Sequence, residues 1–152
     1  MSMNTIYESH CPEDTMAFGS KMAKKAMAGD IICLCGSLGA GKTAFAQGFA
    51  QGLGIQGHVN SPTFTLMQVY DNGRLPLYHF DLYRLMELLD KDAQIDPDTL
   101  DDIGFFDYMN GAGVTLIEWA EYGRDVIPDE AVWVRITRDE HRNDAYRKIM
   151  VE

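Results

Sequence analysis

A glycine-rich stretch between two apolar segments shows the clearest candidate for chemistry in this sequence. It reads Gly36-Ser37-Leu38-Gly39-Ala40-Gly41-Lys42-Thr43 and has the eight-position spacing of a phosphate-binding loop. Glycines let the backbone turn its N–H groups toward a phosphate, and the N-terminus of a following helix adds partial positive charge. Lys42 would reach the β and γ phosphates, and the Thr43 hydroxyl would bind Mg²⁺. The spacing therefore predicts nucleoside triphosphate binding, with a plain strand-to-helix turn as the alternative.

Two acidic residues follow apolar runs and could complete a hydrolytic site. Glu118 ends the run Val-Thr-Leu-Ile-Glu, and Asp81 follows Leu77-Tyr78-His79-Phe80. If both runs are parallel strands, their carboxyl ends bring the two acids to the same edge of the sheet. We predict that one acid binds the metal, directly or through water, and that the other polarises the attacking water, with Glu118 favoured for the metal. The structural alternatives are a helix cap by Asp81 and an ion pair between Glu118 and Arg84.

Three further groups of residues are of types that occur in functional sites. Ser61-Pro62-Thr63 is predicted to be a switch segment that senses the γ-phosphate through the metal, or else an ordinary turn. The four histidines, at positions 10, 58, 79 and 141, show no metal-ligand spacing. Cys11, Cys33 and Cys35 are odd in number, and the last two lie in an apolar run, so we expect buried thiols there.

The order of apolar runs and turns predicts an α/β fold in which the phosphate loop joins a central strand to a helix. Ile31 to Cys35 is a continuous apolar run, typical of a strand covered on both faces, and the following helix closes at Gly54. Asn72-Gly73 predicts a hairpin, and Pro76 indicates a free edge or a bulge near the return strand. The other predicted elements are a strand at Met3 to Glu8, a helix at Pro12 to Ala28, strands at Thr65 to Tyr70, Leu75 to Phe80 and Val114 to Ile117, short surface helices in the acidic stretch Met86 to Asp102, and two closing antiparallel strands at Ala131 to Ile136 and Tyr146 to Val151.

Length and charge narrow the class of protein. A chain of 152 residues with 46% apolar residues suits a single domain over residues 1–152 that can bury a core. Thirteen Lys and Arg against 23 Asp and Glu give a net charge of −10, which disfavours a broad nucleic-acid-binding face. No apolar run approaches the roughly 18 to 20 residues that cross a bilayer, and no secretory signal is seen. The sequence predicts a cytoplasmic protein that binds no membrane.

Four segments, in the order GSLGAGKT, SPTFTL, YHFDLYRL and LIEWAEYG, closely resemble the bacterial TsaE (YjeE) family. The resemblance runs from the helix carrying Thr15 to the strand containing Val134. It implies a P-loop NTPase-like three-layer sandwich with a mixed central sheet, and a protein that binds ATP and hydrolyses it slowly. It also implies a role in tRNA threonylcarbamoyladenosine (t6A) synthesis at adenosine 37, beside a TsaD-like threonylcarbamoyl transferase and its TsaB-like partner, with tRNA contacted only indirectly.

The same resemblance implies roles for individual residues. Lys42, Asp81 and Glu118 would be catalytic, and Thr43, Glu118 and Asp81 would hold Mg²⁺. Trp119 would lie beside the site and respond to nucleotide state, with core packing as the alternative. An arginine of the C-terminal segment would touch the nucleotide, and Arg142 is preferred over Arg147. The residues predicted to bind ATP are Pro12, Thr15, Ser37, Leu38, Gly39, Ala40, Gly41, Lys42, Thr43, Ala44 and Arg142.

Two other functions remain open for a chain with this loop. A small kinase would close an arginine-bearing lid over the phosphates, but Arg74 and Arg84 are ten residues apart, which counts against it. A nucleotide-gated binding module would hydrolyse ATP only incidentally. Because no arginine finger is evident, the isolated chain should turn over slowly and faster with its partners.

Overall fold

A computed structural model of the chain describes residues 5–37, 39–57, 67–88, 97–102, 104–109 and 111–152. Leu38, the segment Ser61-Pro62-Thr63 and the middle of the acidic stretch lie outside the described residues. The described strands are β1 (Thr5–Ser9), β2 (Ile31–Cys35), β3 (Met67–Tyr70), β4 (Leu77–Asp81), β5 (Val114–Glu118), β6 (Val132–Thr137) and β7 (Arg147–Val151). The described helices are α1 (Pro12–Lys25), α2 (Lys42–Gly52), α3 (Leu82–Leu88), α4 (Pro97–Asp102), α5 (Phe105–Met109) and a 3₁₀ helix at Ala120–Gly123.

The strands form one mixed sheet in the order β1-β7-β6-β2-β5-β4-β3. β2 lies at the centre, parallel to both β5 and β6, and β4 is parallel to β5. The pairs β1–β7, β6–β7 and β3–β4 are antiparallel. Because β2, β5 and β4 are adjacent and parallel, their carboxyl ends lie side by side at one edge of the sheet. The predicted mixed α/β sheet and the hairpin at Asn72-Gly73 are confirmed.

Helices cover both faces of this sheet, as the three-layer prediction requires. On one face α1 and α2 pack against Ile32 and Leu34 of β2, and on the other face α3, α4 and α5 pack against Ile31 and Cys33. Neighbouring residues of β2 therefore point into different cores, which explains why the whole strand is apolar. Cys33 and Cys35 are buried as predicted, and burial raises the pKa of both thiols, that of Cys35 to about 12.

Two expectations about the elements were wrong. α1 ends at Lys25 rather than Ala28, because Ala26 has extended backbone. Pro76 marks neither a free edge nor a bulge in β4, since it lies just before a strand that is paired on both sides, and its carbonyl accepts a hydrogen bond from the Val114 N–H. The predicted closing antiparallel pair is confirmed by β6 and β7, and β6 is in addition parallel to β2, because the chain crosses the sheet through the 3₁₀ helix before β6 begins.

The described helices are too short and too polar to cross a bilayer, and α1, the longest of them, has 14 residues.

Candidate functional site

The phosphate loop leaves the carboxyl end of β2 and enters α2 at Lys42. Gly36 and Gly41 both have positive φ angles, of 149° and 107°. A Cβ at Gly36 would lie 2.5 Å from the Ile136 carbonyl oxygen on β6, so the loop can leave β2 in this way only with glycine. Gly41 directly precedes α2, whose first N–H groups have no partners within the helix. The loop therefore places the electropositive end of α2 at the carboxyl edge of the sheet.

Lys42 is the first residue of α2, and its side chain is almost completely buried, with 6% exposed. Its Nζ donates a hydrogen bond to the Gly36 carbonyl and lies 3.3 Å from the centroid of the Trp119 ring. Burial lowers the pKa of this amine, while the nearby Glu118, Glu121 and Asp81 carboxylates act in the opposite direction. The loop thus encloses a buried cation that faces several acids.

Asp81 and Glu118 are the last residues of β4 and β5, and they are direct neighbours in the register of the two strands. Asp81 Oδ1 accepts hydrogen bonds from the backbone N–H groups of Tyr83 at 3.0 Å and Arg84 at 3.3 Å, so the cap considered as an alternative does exist. Burial raises the pKa of Asp81, and the neighbouring Glu118 raises it further. The predicted convergence of two carboxylates at the strand ends is confirmed.

Glu118 has a partner that the sequence did not suggest. Its Oε2 lies 2.6 Å from Nε2 of His79, and the exposed fractions of these residues are 3% and 0%. The four histidines show no metal-ligand spacing in the sequence, yet His79 contacts the carboxylate favoured for the metal. The sequence feature that could have identified His79 is its position two residues before Asp81, because residues two apart in a strand have side chains on the same face.

A cavity of about 460 Å³ joins these groups. The loop and α2 contribute one wall, and the ends of β4 and β5 contribute the other. Trp119 closes one side with its backbone in the left-handed region, φ 58°, the only such non-glycine among the described residues. The lining residues are Gly39, Ala40, Gly41, Lys42, Thr43, Asp81, Tyr83, Arg84, Glu87, Glu118 and Trp119.

Two smaller sets of predicted residues line cavities on the other sides of the loop. A cavity of about 350 Å³ is lined by Pro12, Thr15 and Ala44. Gly41 lines both this cavity and the cavity of about 460 Å³ that contains Lys42. Ser37 and Arg142 line a third cavity. Every described residue that was predicted to bind ATP or Mg²⁺ therefore lies on a cavity beside the loop.

The two C-terminal arginines occupy different places. Arg142 lies over the ring of Tyr146, and its Nη1 is 3.9 Å from Glu8 Oε1. Arg147 instead reaches the phosphate loop, where its Nε and Nη2 donate to the carbonyls of Ala40 and Gly39 at 2.9 and 3.0 Å. The nucleotide contact of Arg142 stays a prediction, whereas Arg147, ranked second in the sequence, is the one that touches the loop.

A central parallel strand, a glycine loop and a following helix, with acids at the ends of the adjacent strands, define a P-loop nucleotide-binding fold. A family model described as threonylcarbamoyl adenosine biosynthesis protein TsaE matches residues 9–149. The chain belongs to the TsaE family.

Relatives of known name agree with this assignment. The chain is 44% identical over 127 residues to the tRNA threonylcarbamoyladenosine biosynthesis protein TsaE of Bacillus subtilis, a match that covers 84% of this chain and 73% of that protein. It is 40% identical to the TsaE of Treponema pallidum, with coverage of 88% and 93%. The crystal structure of Bacillus subtilis YdiB superposes with a TM-score of 0.77 at 36% identity, covering 99% of this chain and 86% of that one.

Proposed function

We propose that this protein is a Mg²⁺-dependent ATPase that serves t6A modification of tRNA. The observation that carries the proposal is the cavity in which Lys42 and Thr43 of the loop face Asp81 and Glu118 of two adjacent parallel strands. One cation and several oxygen ligands around a phosphate loop are the parts that ATP hydrolysis by such folds requires. Membership of the TsaE family supports the biological role.

The cavities suit the whole ATP molecule. The loop and Lys42 would hold the phosphates in the cavity of about 460 Å³. Gly41 lines this cavity and also the neighbouring one, which is lined by Pro12, Thr15 and Ala44. That second cavity offers mostly small and apolar side chains, which suit a flat nucleobase. Ser37 and Arg142, in the third cavity, would approach the nucleotide from the side of the β6–β7 connection.

The donor set suits Mg²⁺. This ion prefers oxygen ligands, usually one or two carboxylates together with phosphates and water. Thr43 and Glu118 would hold it, and Asp81 would bind it through water or orient the attacking water. When bound, Mg²⁺ would neutralise charge on the phosphates.

The chain's own residues divide the remaining work. Lys42 would bind the β and γ phosphates through an ammonium that is already shielded from solvent. Asp81, whose carboxyl pKa is raised by burial, would accept the hydrogen bond of the attacking water. Arg84, which the sequence did not single out for the nucleotide, lines the same cavity and would supply a second cation near the phosphates.

We further propose that the protein acts in the cytoplasm with a TsaD-like transferase and a TsaB-like subunit. The transfer chemistry would belong to these partners, and the present chain would supply a step driven by ATP. Its net charge of −10 supports docking onto basic protein surfaces and leaves tRNA binding to the partners.

Calorimetric titration of MgATP into wild type and Lys42→Ala tests the site. We expect the wild type to bind and Lys42→Ala to bind about 10- to 100-fold more weakly, because hydrogen bonds to charged groups contribute roughly 1.5–3 kcal/mol. Lys24→Ala, on the exposed side of α1, is the matched control and should bind like wild type. Unchanged affinity in a folded Lys42→Ala variant would overturn the site assignment.

Reconstitution with the two partners and tRNA separates an ATPase from a nucleotide-gated module. If Asp81→Ala and Glu118→Ala lose both ATP turnover and t6A formation, hydrolysis serves the modification. Complete t6A formation by variants without turnover would instead show that nucleotide binding alone suffices.

A further inference from the structure

His79 is a buried polar residue whose neighbours are mostly apolar. It lies in the middle of β4, fully buried, with Leu77 two residues before it and Leu116 opposite it on β5. Its Nδ1 is buried and has no hydrogen-bond partner among the described residues. A buried polar group without a partner lowers stability, and an apolar side chain would fill this position at no such cost. The core therefore gives no reason for a histidine here.

The strand register supplies the reason. Asp81 pairs with Glu118 across β4 and β5, and His79 pairs with Leu116, so His79 is the diagonal neighbour of Glu118 on the same face. The resulting distance of 2.6 Å between His79 Nε2 and Glu118 Oε2 is a short hydrogen bond between two buried side chains. With Nε2 as the donor, Nδ1 needs no proton of its own.

We propose that His79 is a positioning residue that holds the Glu118 carboxylate in the orientation that binds Mg²⁺. The inference rests on the proposed function, because it gives Glu118 a metal to bind. A group that hydrogen-bonds a metal ligand fixes the ligand's direction, and loss of such a group weakens metal affinity about 10- to 100-fold. His79 itself lies behind Glu118, and it is not among the residues that line the cavity.

The test compares nucleotide affinity with excess Mg²⁺ and with EDTA, by calorimetry, in wild type and His79→Leu. The loop and Lys42 are untouched by this change, so the affinity in EDTA should remain that of wild type. The Mg²⁺-dependent gain in affinity should fall about 10-fold or more. A folded His79→Leu variant that keeps the full gain would overturn the inference.

A second pair of variants separates position from mere polarity. His79→Gln places an amide nitrogen near the site of imidazole Nε2, whereas His79→Asn places it near Nδ1. We expect Gln to restore most of the Mg²⁺-dependent gain and Asn to behave like Leu, and equal behaviour of Gln and Asn would count against the inference. If His79→Leu fails to fold, this pair decides alone. Absence of nucleotide binding by wild type would overturn the proposed function as well, whereas the variant outcomes bear on His79 only.

Discussion

Asp81 has two roles, and they require different properties of its side chain. It caps α3 through Oδ1, and it keeps a carboxylate in the cavity beside Glu118. The cap needs only an oxygen acceptor, whereas a charge that is half-buried beside another acid lowers the stability of the folded chain. The two tasks can therefore be separated by a substitution that keeps the oxygen and removes the charge.

Asp81→Asn should raise the free energy of unfolding of the nucleotide-free protein at neutral pH while turnover falls by about 10²-fold or more. Because the folded state raises the pKa of this carboxyl above the ordinary 3.8, ionised Asp81 destabilises the protein at high pH. This destabilisation is lost as the pH falls through the raised pKa and the carboxyl becomes protonated. The difference in free energy of unfolding between Asp81→Asn and wild type should therefore shrink toward pH 4. Urea unfolding in EDTA at several pH values measures this, and a stability gain that is constant with pH would contradict it.

Sequence reasoning found the loop residues, whose partners are local, and the two acids that end adjacent strands, but it did not find the side-chain contacts of His79 and Arg147 with distant residues. The loop, Lys42 and Thr43 follow from one short motif between a strand and a helix. His79 and Glu118 are 39 residues apart and meet only through the β4–β5 register, which no local pattern fixes. Arg147 reaches Ala40 from 107 residues away, so its spacing in the sequence gave no reason to prefer it over Arg142.

At the scale of elements, the β6–β7 connection is attached to the phosphate loop through Arg147. Arg147 makes two hydrogen bonds to the loop, and its Nη1 also donates to the carbonyls of Asp144 and Tyr146, which lie in the β6–β7 connection. We expect Arg147→Ala to weaken MgATP binding more than Arg142→Ala does, because only Arg147 holds the loop carbonyls. Calorimetry on both variants measures this, and a larger loss in Arg142→Ala would show that the arginine preferred from the sequence is the important one.

Close packing of α1 on α2 fixes where α2 points. A Cβ at Gly48 would lie 2.0 Å from the Met16 carbonyl oxygen of α1, so Gly48→Ala must push the helices apart. We expect it to lower the free energy of unfolding by about 1–3 kcal/mol, as overpacking does. Gln51→Ala, exposed on the same helix, should change it by less than about 0.5 kcal/mol. Urea titration measures both, and equal stabilities would contradict this account of the packing.

The elements were easiest to predict where one segment carries its own signal. The buried strand β2 and the Asn72-Gly73 hairpin each follow from adjacent residues. The direction of β6 does not, because it depends on a crossover after Glu118 that contains only a four-residue 3₁₀ helix. An irregular crossover of this kind has no periodicity by which to recognise it.

At the scale of the whole molecule, the net charge of −10 predicts which partners the protein can bind. The purified chain should show no measurable affinity for tRNA at about 0.15 M ionic strength, because its field repels a phosphate backbone. The proposed association with the transferase subunits should weaken as salt is raised. Fluorescence anisotropy of labelled tRNA, with the chain alone and with the partners, measures this. Tight, salt-sensitive binding by the chain alone would reveal a local basic surface that the total charge conceals.

That residues 1–152 form a single domain also stays a prediction.

The pairing of β1 with β7 has a consequence for how the protein is made. β1 leaves the ribosome before the other described strands, yet its neighbour in the sheet is β7, with Thr5 opposite Val151. β1 must therefore stay unpaired until β7 has been synthesised, and β7 also brings Arg147 to the phosphate loop. Nascent chains halted before residue 147 should be cut readily by protease within residues 5–9, and the contact of Arg147 with the loop forms only when β7 emerges.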